Sequence, residues 1–546
     1  MSAKLLFHTV RHLRWEQFVF RMLSRIRKTR VGSQTPLPSA TWQRAWNAPS
    51  IKAASLGTDD VWTFLGESHA VTQPEDWNRP EWSKLWLYNL HYFDDLDAPH
   101  ADTRAPLHRH WIDRWIAENP APNGNGWEPY PLSLRIVNWV KWLSTRDVVG
   151  SAWTDSLQLQ VHVLSQRLEY HLLGNHLFAN GKALVFAGTF FSGPAATQWL
   201  NVGLGILDRE IPEQFLPDGG HFELSPMYHT TLLWDLLELI DLAGCTGNDA
   251  LASRVTEWRA FAERGLAWLA GVSHADGEIS FFNDAAFDIA PAPQQLFSYA
   301  ETLDLHVRSL SQQPVTPLRL THFADTGYVR LSWENADALL DVARVGPDYL
   351  PGHAHADTLS FEWSLGACRV LVNSGTSQYG DDMERQRQRG TAAHNTVVVN
   401  EENSSEVWAG FRVARRAYPF GLHIAQAADS ITVSCAHDGY RRLPGKPVHR
   451  RTWLAQPRKL QVTDVIEGAY RTASARFHLH PHVSANAQGN RVQLTLPDGR
   501  SITAAFSGGA PRLVASTWHP RFGESVPSHC IEVALTGSVL QLELTW

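Results

Sequence analysis

A helical N-terminal half followed by an antiparallel β-sandwich is the fold class this sequence predicts. Two patterns and one break carry the prediction. From about residue 60 to 310, apolar residues recur at three- and four-residue spacing. Beyond Pro314-Val315-Thr316-Pro317, short runs alternate apolar and polar residues between Gly-rich or polar turns. At 546 residues the chain exceeds one ordinary core, so two or three domains are expected. The bounds read from the sequence are 1–60 for a basic helix and lead-in, 61–315 for the helical domain and 316–546 for the sandwich.

The elements follow in order. Arg11, Arg14, Arg21, Arg25 and Lys28 recur at spacings of 3, 7, 4 and 3, with Leu13, Phe20 and Leu23 between them. That is a basic helical stripe, which either lies peripherally on an anionic membrane or packs on its own domain. No signal peptide is expected here, because an apolar core and small-residue cleavage site are missing. No stretch is long enough for a transmembrane helix. A cytoplasmic or cell-envelope location is the default expectation. Ser133–Trp142, Leu157–Leu173, Leu232–Leu242 and Ala252–Leu269 read as helices, punctuated by Gly193-Pro194 and Pro217-Asp218-Gly219-Gly220. Tyr328–Trp333, Leu339–Ala343, Val397–Asn400, Ile431–Cys435, Leu460–Ile466, Val492–Leu496 and Val539–Trp546 read as strands.

Composition narrows function. With 48 basic and 55 acidic residues the net charge is −7, which argues against a nucleic-acid partner. The 23 Trp and 23 Phe suit sugar stacking, though most must serve as core. Four scattered Cys form no framework.

Chemistry-bearing residues cluster. His353 and His355, two apart, share a face if the segment is a strand, and His394 follows. With Asn373 they form either a Zn²⁺ constellation or a set of hydrogen-bonded sandwich residues. Asn175, His176 and Asn180 sit at a helix start, as donors for an oxyanion or as ordinary caps. Glu223, Tyr228 and His229 follow a Gly turn; Tyr228 is a candidate proton-transfer residue or a packing residue. Tyr88, His91, Trp127, Glu128 and Tyr130 either line a saccharide groove or fill a core. Arg385, Arg387 and Arg389 alternate with Gln. On a strand they would share a face, for carboxylate or sulfate binding or for plain solvation.

Together these stretches, Lys84–Asp94, Trp127–Trp142, Glu169–Gly188, Asp218–Leu239, Gly352–Tyr379, Arg389–Val399 and His437–Arg451, resemble the heparinase II/III-like polysaccharide lyases. The resemblance implies an incomplete (α/α) toroid, a C-terminal antiparallel β-sandwich, and β-elimination of a uronate-containing, anionic polysaccharide. It implies that Asn175 or His176 neutralises the carboxylate. Tyr228, 52 residues beyond His176 (228 − 176), corresponds to the acid/base, and His353 to the catalytic sandwich His. Tyr88, His91, Trp127, Glu128, Tyr130, Asn180, Glu223 and Arg389 are expected to contact substrate. His355, Asn373 and His394 correspond to the ligands of a structural Zn²⁺. The family commonly has Asp where this chain has Asn373, and a neutral amide is the weaker ligand, so low affinity or partial occupancy is expected. Two alternatives stand beside lysis. One is a uronyl C5-epimerase using Tyr228 and His353 from opposite faces. The other is a non-catalytic glycan-binding or exopolysaccharide-assembly protein.

Overall fold

The computed structural model describes residues 3–32, 34–57, 59–146, 150–306 and 318–546. The domain boundary expected at 315/316 lies outside the described residues.

The first half is a series of helical hairpins forming an incomplete (α/α) toroid. Pro129–Ser144, Gly174–Phe190 and Pro226–Thr246 are buried nearly all round. Pro194–Gln214 and Asp249–Val272 bury only one face and pack against them from outside. This inner-and-outer alternation follows from pattern, since a helix apolar on every side can only be interior. Glycines let two neighbours approach closely: a Cβ at Gly203 would lie 2.7 Å from the Gly181 carbonyl oxygen. Trp77, Trp86, Trp111, Trp115 and Trp139 are each almost completely buried in this half. Burying such a side chain stabilises by on the order of 2–3 kcal/mol, and Trp139→Ala should cost about 3–5 kcal/mol.

Among the described residues the second half holds three larger antiparallel sheets and a two-stranded one, Val407–Trp408 with Arg412–Val413. A five-stranded sheet, Leu318–Phe323 to Cys368–Leu371, follows chain order. An eight-stranded sheet runs from Pro419–Gln426 at one edge to Ser484–Gln488 at the other. A four-stranded sheet pairs Pro511–Trp518, Val526–Ala534, Ala473–His478 and Val397–Val399. Alternating burial in Val448–Gln456 and Lys459–Glu467 shows why period-two sequences fold this way, with one face on the core and one toward solvent.

The halves are joined by a shared apolar cluster of Leu224, Trp268 and Phe282 from the toroid side with Phe323, Tyr328 and Leu339. Tyr328 also donates its hydroxyl to the Leu224 carbonyl at 2.7 Å. The buried connection after helix Asp249–Val272 wedges into this junction and carries Asn283 and Asp284 to its centre.

Two local expectations are corrected. Arg385, Arg387 and Arg389 lie on a short helix, Met383–Arg389, not a strand. Asp382 caps it by accepting the Arg385 N–H at 2.8 Å, a start signal that outweighs the alternation. The segment from Gly352 to Asp357 is loop, so the two histidines do not meet through strand periodicity.

Candidate active site

A cleft of about 1280 Å³ opens at the junction. Asn175, His176, Tyr228, His353 and Glu223 all line it, as do Tyr88 and Tyr130. Ser225 caps helix Pro226–Thr246, accepting the Tyr228 N–H at 3.2 Å, and this fixes Tyr228 in the first turn. Across the cleft, helix Gly174–Phe190 begins at a turn in which Leu173 and Gly174 both take positive φ (65° and 57°). A non-Gly residue held there stores strain, here at the turn that aims Asn175 and His176. His176 Nδ1 meets Glu169 Oε1 at 3.1 Å, and its ring packs on Tyr130 at 4.6 Å.

Tyr228 and His353 stack, with ring centroids 3.8 Å apart. They therefore reach the cleft side by side. This corrects the expectation that they approach from opposite faces; a shared anchoring cluster draws both to one wall. The Tyr228 hydroxyl is 3.0 Å from that of Tyr379. Burial, then Tyr379 and the Asp284 charge, push the Tyr228 phenol well above its ordinary value. Burial lowers the His353 imidazole, although its bond to Asp284 opposes this. Near neutral pH the pair is a phenol that can donate and an imidazole that can accept.

Asp284 is the hub of the site, and nothing in the sequence reading singled it out. Its carboxylate accepts from His353 Nδ1 at 2.9 Å, His355 Nε2 at 2.8 Å and Thr376 Oγ1 at 3.2 Å. Arg385 forks onto both oxygens, with Nη2 at 2.7 Å. Burial alone would raise this carboxyl, but Arg385 and the two histidines hold it well below the usual range. The ion pair thereby fixes the imidazole edge of His353, in the manner of a buried orienting carboxylate. Tyr379 was likewise not foreseen. The one legible trace of Asp284 is the Asn283-Asp284 turn, where Asn283 takes φ 57°.

Glu223 is buried at the cleft wall, with Oε2 3.9 Å from His353 Nε2. Burial and the Asp284 charge push its carboxyl up to about 8, so it enters neutral solution protonated. Tyr88 donates its hydroxyl to Glu128, which also pairs with Lys84 at 2.6 Å, so Glu128 stiffens the rim.

Four residues expected to touch substrate are buried and do not line the cleft. His91 is fully buried, bridging the Trp77 carbonyl and Trp115 Nε1 at 3.0 Å each. Trp127 is core, donating to the Asn119 carbonyl at 3.1 Å. Asn180 is buried and holds Glu169 through its main-chain N–H at 2.8 Å and its carboxylate at 3.0 Å. Arg389 is buried and ties down the His353 loop through the Ala354 carbonyl at 2.9 Å. In each case a backbone or side-chain partner inside the protein consumes the polar atoms expected to face sugar. Arg385, read as an anion binder or a solvated residue, is instead buried on Asp284.

His355 and His394 do meet, with Nδ1 and Nε2 3.3 Å apart. Burial lowers them to about 4 and about 3, so both are neutral imidazoles, as metal ligation requires. Asn373 lies in the same buried region, its Oδ1 accepting the Asn395 N–H at 3.3 Å. Among the described residues no group of three or more His, Cys, Asp or Glu is arranged for a metal ion. The imidazole pair suits one; a carboxylate to complete it is missing.

This geometry coincides with a known architecture. The sequence matches the heparinase II/III N-terminal family over residues 74–302 and the heparinase II/III-like C-terminal family over 315–546. The chain belongs to the heparinase II/III-like family. It is 27% identical over 259 residues to a heparin-sulfate lyase of Bacteroides stercoris, covering 44% of this chain and 38% of that protein. It is 25% identical over 347 residues to one of Bacteroides thetaiotaomicron, covering 54% and 48%. The chain thus spans under half the length of these two relatives. A protein named FtsZ-localized protein C, from Caulobacter vibrioides, is 24% identical, with 74% of this chain and 71% of that protein covered. Among solved structures, heparinase III superposes with a TM-score of 0.68 at 17% identity, covering 97% of this chain and 89% of that one. This last likeness concerns the fold.

Proposed function

We propose that the protein is a polysaccharide lyase that cleaves a uronate-containing glycan by β-elimination. The observation that carries this reading is the stacked Tyr228–His353 pair, held by Asp284 and Arg385 on one wall of a cleft whose facing helix start presents Asn175 and His176. Elimination needs three things: an acidified C5 proton, a base for it, and an acid for the leaving glycosidic oxygen. Asn175 and His176 hydrogen-bond the uronate carboxylate and stabilise the enolate as its charge grows. His353, neutral and oriented by Asp284, takes the C5 proton. Tyr228, kept as a phenol by burial, donates its proton to the departing oxygen. The electron pair of the C5–H bond becomes the C4–C5 double bond as the C4–O bond breaks. Protonated Glu223 adds an uncharged O–H to the same wall. In the alternative assignment Tyr228 serves as both base and acid, with His353 relaying its proton.

A Zn²⁺ ion held by His355, Asn373 and His394 would supply structural fixation of the loops that carry His353. The elimination itself is assigned wholly to side chains. Side-by-side stacking gives no support to epimerisation, which needs proton transfer on both faces. Glycan binding without turnover is the second reading, favoured by Asn373 in place of a carboxylate. Incubation with a uronan panel, followed by ultraviolet absorbance of the unsaturated product, tests the proposal. Absorbance should rise with the wild type and not with Tyr228→Phe. No product from any uronan, with polymer still bound, would transfer the assignment to the binding reading.

A further inference from the structure

The cleft is charge-compensated, and this speaks to its substrate. Its lining carries six Lys or Arg: Lys52, Lys84, Lys141, Arg146, Lys182 and Arg521. Each is already paired. Lys84 meets Glu128 at 2.6 Å, Arg146 meets Asp102 at 3.0 Å, and Arg521 grips Asp288. On the floor, Lys141 meets Glu238 at 2.5 Å and Asp97 at 3.2 Å, while Lys182 meets Asp235 at 2.5 Å. Lys52 donates to the Ile289 carbonyl at 2.7 Å, with Asp94 at 4.0 Å. Among the described lining residues, seven are Asp or Glu. A sulfated glycan would have to displace these carboxylates, leaving buried ones such as Glu238 uncompensated, or sit beside them unpaired. A uronate carboxylate, by contrast, can be met by Asn175 and His176, with the protonated Glu223 on the facing wall, none of which a carboxylate has to give up. Tyr88 and Tyr130 offer rings for neutral pyranose faces.

We infer that the substrate is an unsulfated uronate polysaccharide, one charge per uronate and none added by ester sulfate. This rests on the lyase reading of the same cleft. The test compares matched polymers on the full-length protein: chondroitin against chondroitin sulfate, and N-acetylheparosan against heparin. Cleavage rate and direct binding by calorimetry are both measured. The unsulfated member of at least one pair should be bound, with kcat/KM at least tenfold above its sulfated partner and little dependence on salt. The variant Asp102→Asn/Asp288→Asn/Glu524→Gln removes the acidic partners of Arg146 and Arg521, so it should narrow that ratio several-fold. Equal or faster handling of the sulfated members overturns the inference, as does failure to bind either unsulfated polymer. Binding of an unsulfated polymer without cleavage would sink the lyase reading while leaving the charge argument standing.

A separate observation carries a second inference. Helix Trp15–Ile26 packs by one face: Arg14 at its start pairs with Glu213 at 2.5 Å, Gln17 donates to the Tyr349 carbonyl at 3.3 Å, and Phe20 sits on Tyr170 at 4.8 Å. The opposite face is bare. Trp15 is 68% exposed, Met22 65% and Ile26 71%, with Phe18 and Val19 exposed between them. At roughly 100° per residue these five positions fall within an arc of about 100°. Residues 1–30 hold eight Lys or Arg and one Glu, a local +7 (8 − 1) in a chain of −7. An apolar stripe bordered by cations fits an anionic phospholipid surface. We propose that this helix seats the protein on anionic membrane.

The full-length protein should co-sediment with phosphatidylglycerol/phosphatidylcholine vesicles and not with phosphatidylcholine alone. Binding should fall with salt, roughly 30-fold or more in Arg21→Glu/Arg25→Glu, and about tenfold in Phe18→Ser/Met22→Ser. Equal binding to neutral vesicles, binding to neither, or a dimer that depends on Phe18 and Met22 would each overturn the proposal.

Discussion

Asp284→Asn probes the centre of the site. The substitution keeps the shape of the side chain and removes its charge. Asp284 is completely buried, as is Arg385, so the guanidinium is left in the interior with no anion. Losing one partner of such a pair costs about 3–5 kcal/mol, much of it the unpaired charge that remains. His353 loses its orienting anion at the same time, and a misplacement near 1 Å lowers the rate about 100-fold. Urea unfolding followed by tryptophan fluorescence reads the first effect, and initial rates on a cleaved uronan read the second. The double variant Asp284→Asn/Arg385→Gln separates the two, because it removes the orphaned cation. Its stability should recover by about 1–3 kcal/mol while its activity stays low. The account of this hub is refuted if Asp284→Asn unfolds within about 1 kcal/mol of the wild type and keeps its rate.

Three further outcomes are expected. Tyr228→Phe should lower turnover by about 10²–10⁴ and leave unfolding nearly unchanged, since among the described residues its hydroxyl bonds only Tyr379; a variant with wild-type kcat removes Tyr228 from the mechanism. Glu223 faces His353 and the Asp284 charge, and its carboxyl is raised from 4.5 to about 8 in the folded protein. Folding therefore takes up a proton between those values. The protonated carboxyl contributes most below about 4.5, and stability is lost as pH rises toward about 8, by a few kcal/mol at most. Glu223→Gln should flatten that decline between pH 5 and 8, and unfolding curves that decline as steeply as the wild type would exclude it. Elemental analysis after dialysis tests the Zn²⁺ proposal: if metal is bound, His394→Ala should remove it and lower the melting temperature, and metal-free wild type with unchanged melting in the variant contradicts it.

Much of the fold was legible because the hydrophobic periods are strong. Ser133–Trp142 lies inside helix Pro129–Ser144, and Leu460–Ile466 inside strand Lys459–Glu467. Periodicity misjudged where elements stop. Leu157–Leu173 reads as one helix, yet helix Ser151–Ser165 ends before a loop that turns the chain into Leu173 and Gly174. The cleft residues Asn175, His176, Tyr228 and His353 were legible as motif clusters. Their anchors were not, because Asp284 and Arg385 lie 101 residues apart and only tertiary packing joins them. The same limit explains His91 and Trp127: spacing shows that an aromatic stretch has a face, and only packing shows whether that face is wet. His353 and His355 both bond Asp284 from a loop rather than through strand alternation, and of the two it is His353 that lines the cleft.

The central claim is that the bond breaks by elimination at the Tyr228–His353 wall. Digestion of an unsulfated uronan, with the released oligosaccharides weighed by mass spectrometry, tests it directly. The account predicts internal fragments with an unsaturated non-reducing end, each one water lighter than the corresponding hydrolysis fragment, and none of them from Tyr228→Phe. Internal fragments saturated at the non-reducing end, or unsaturated fragments released equally by Tyr228→Phe, would contradict it.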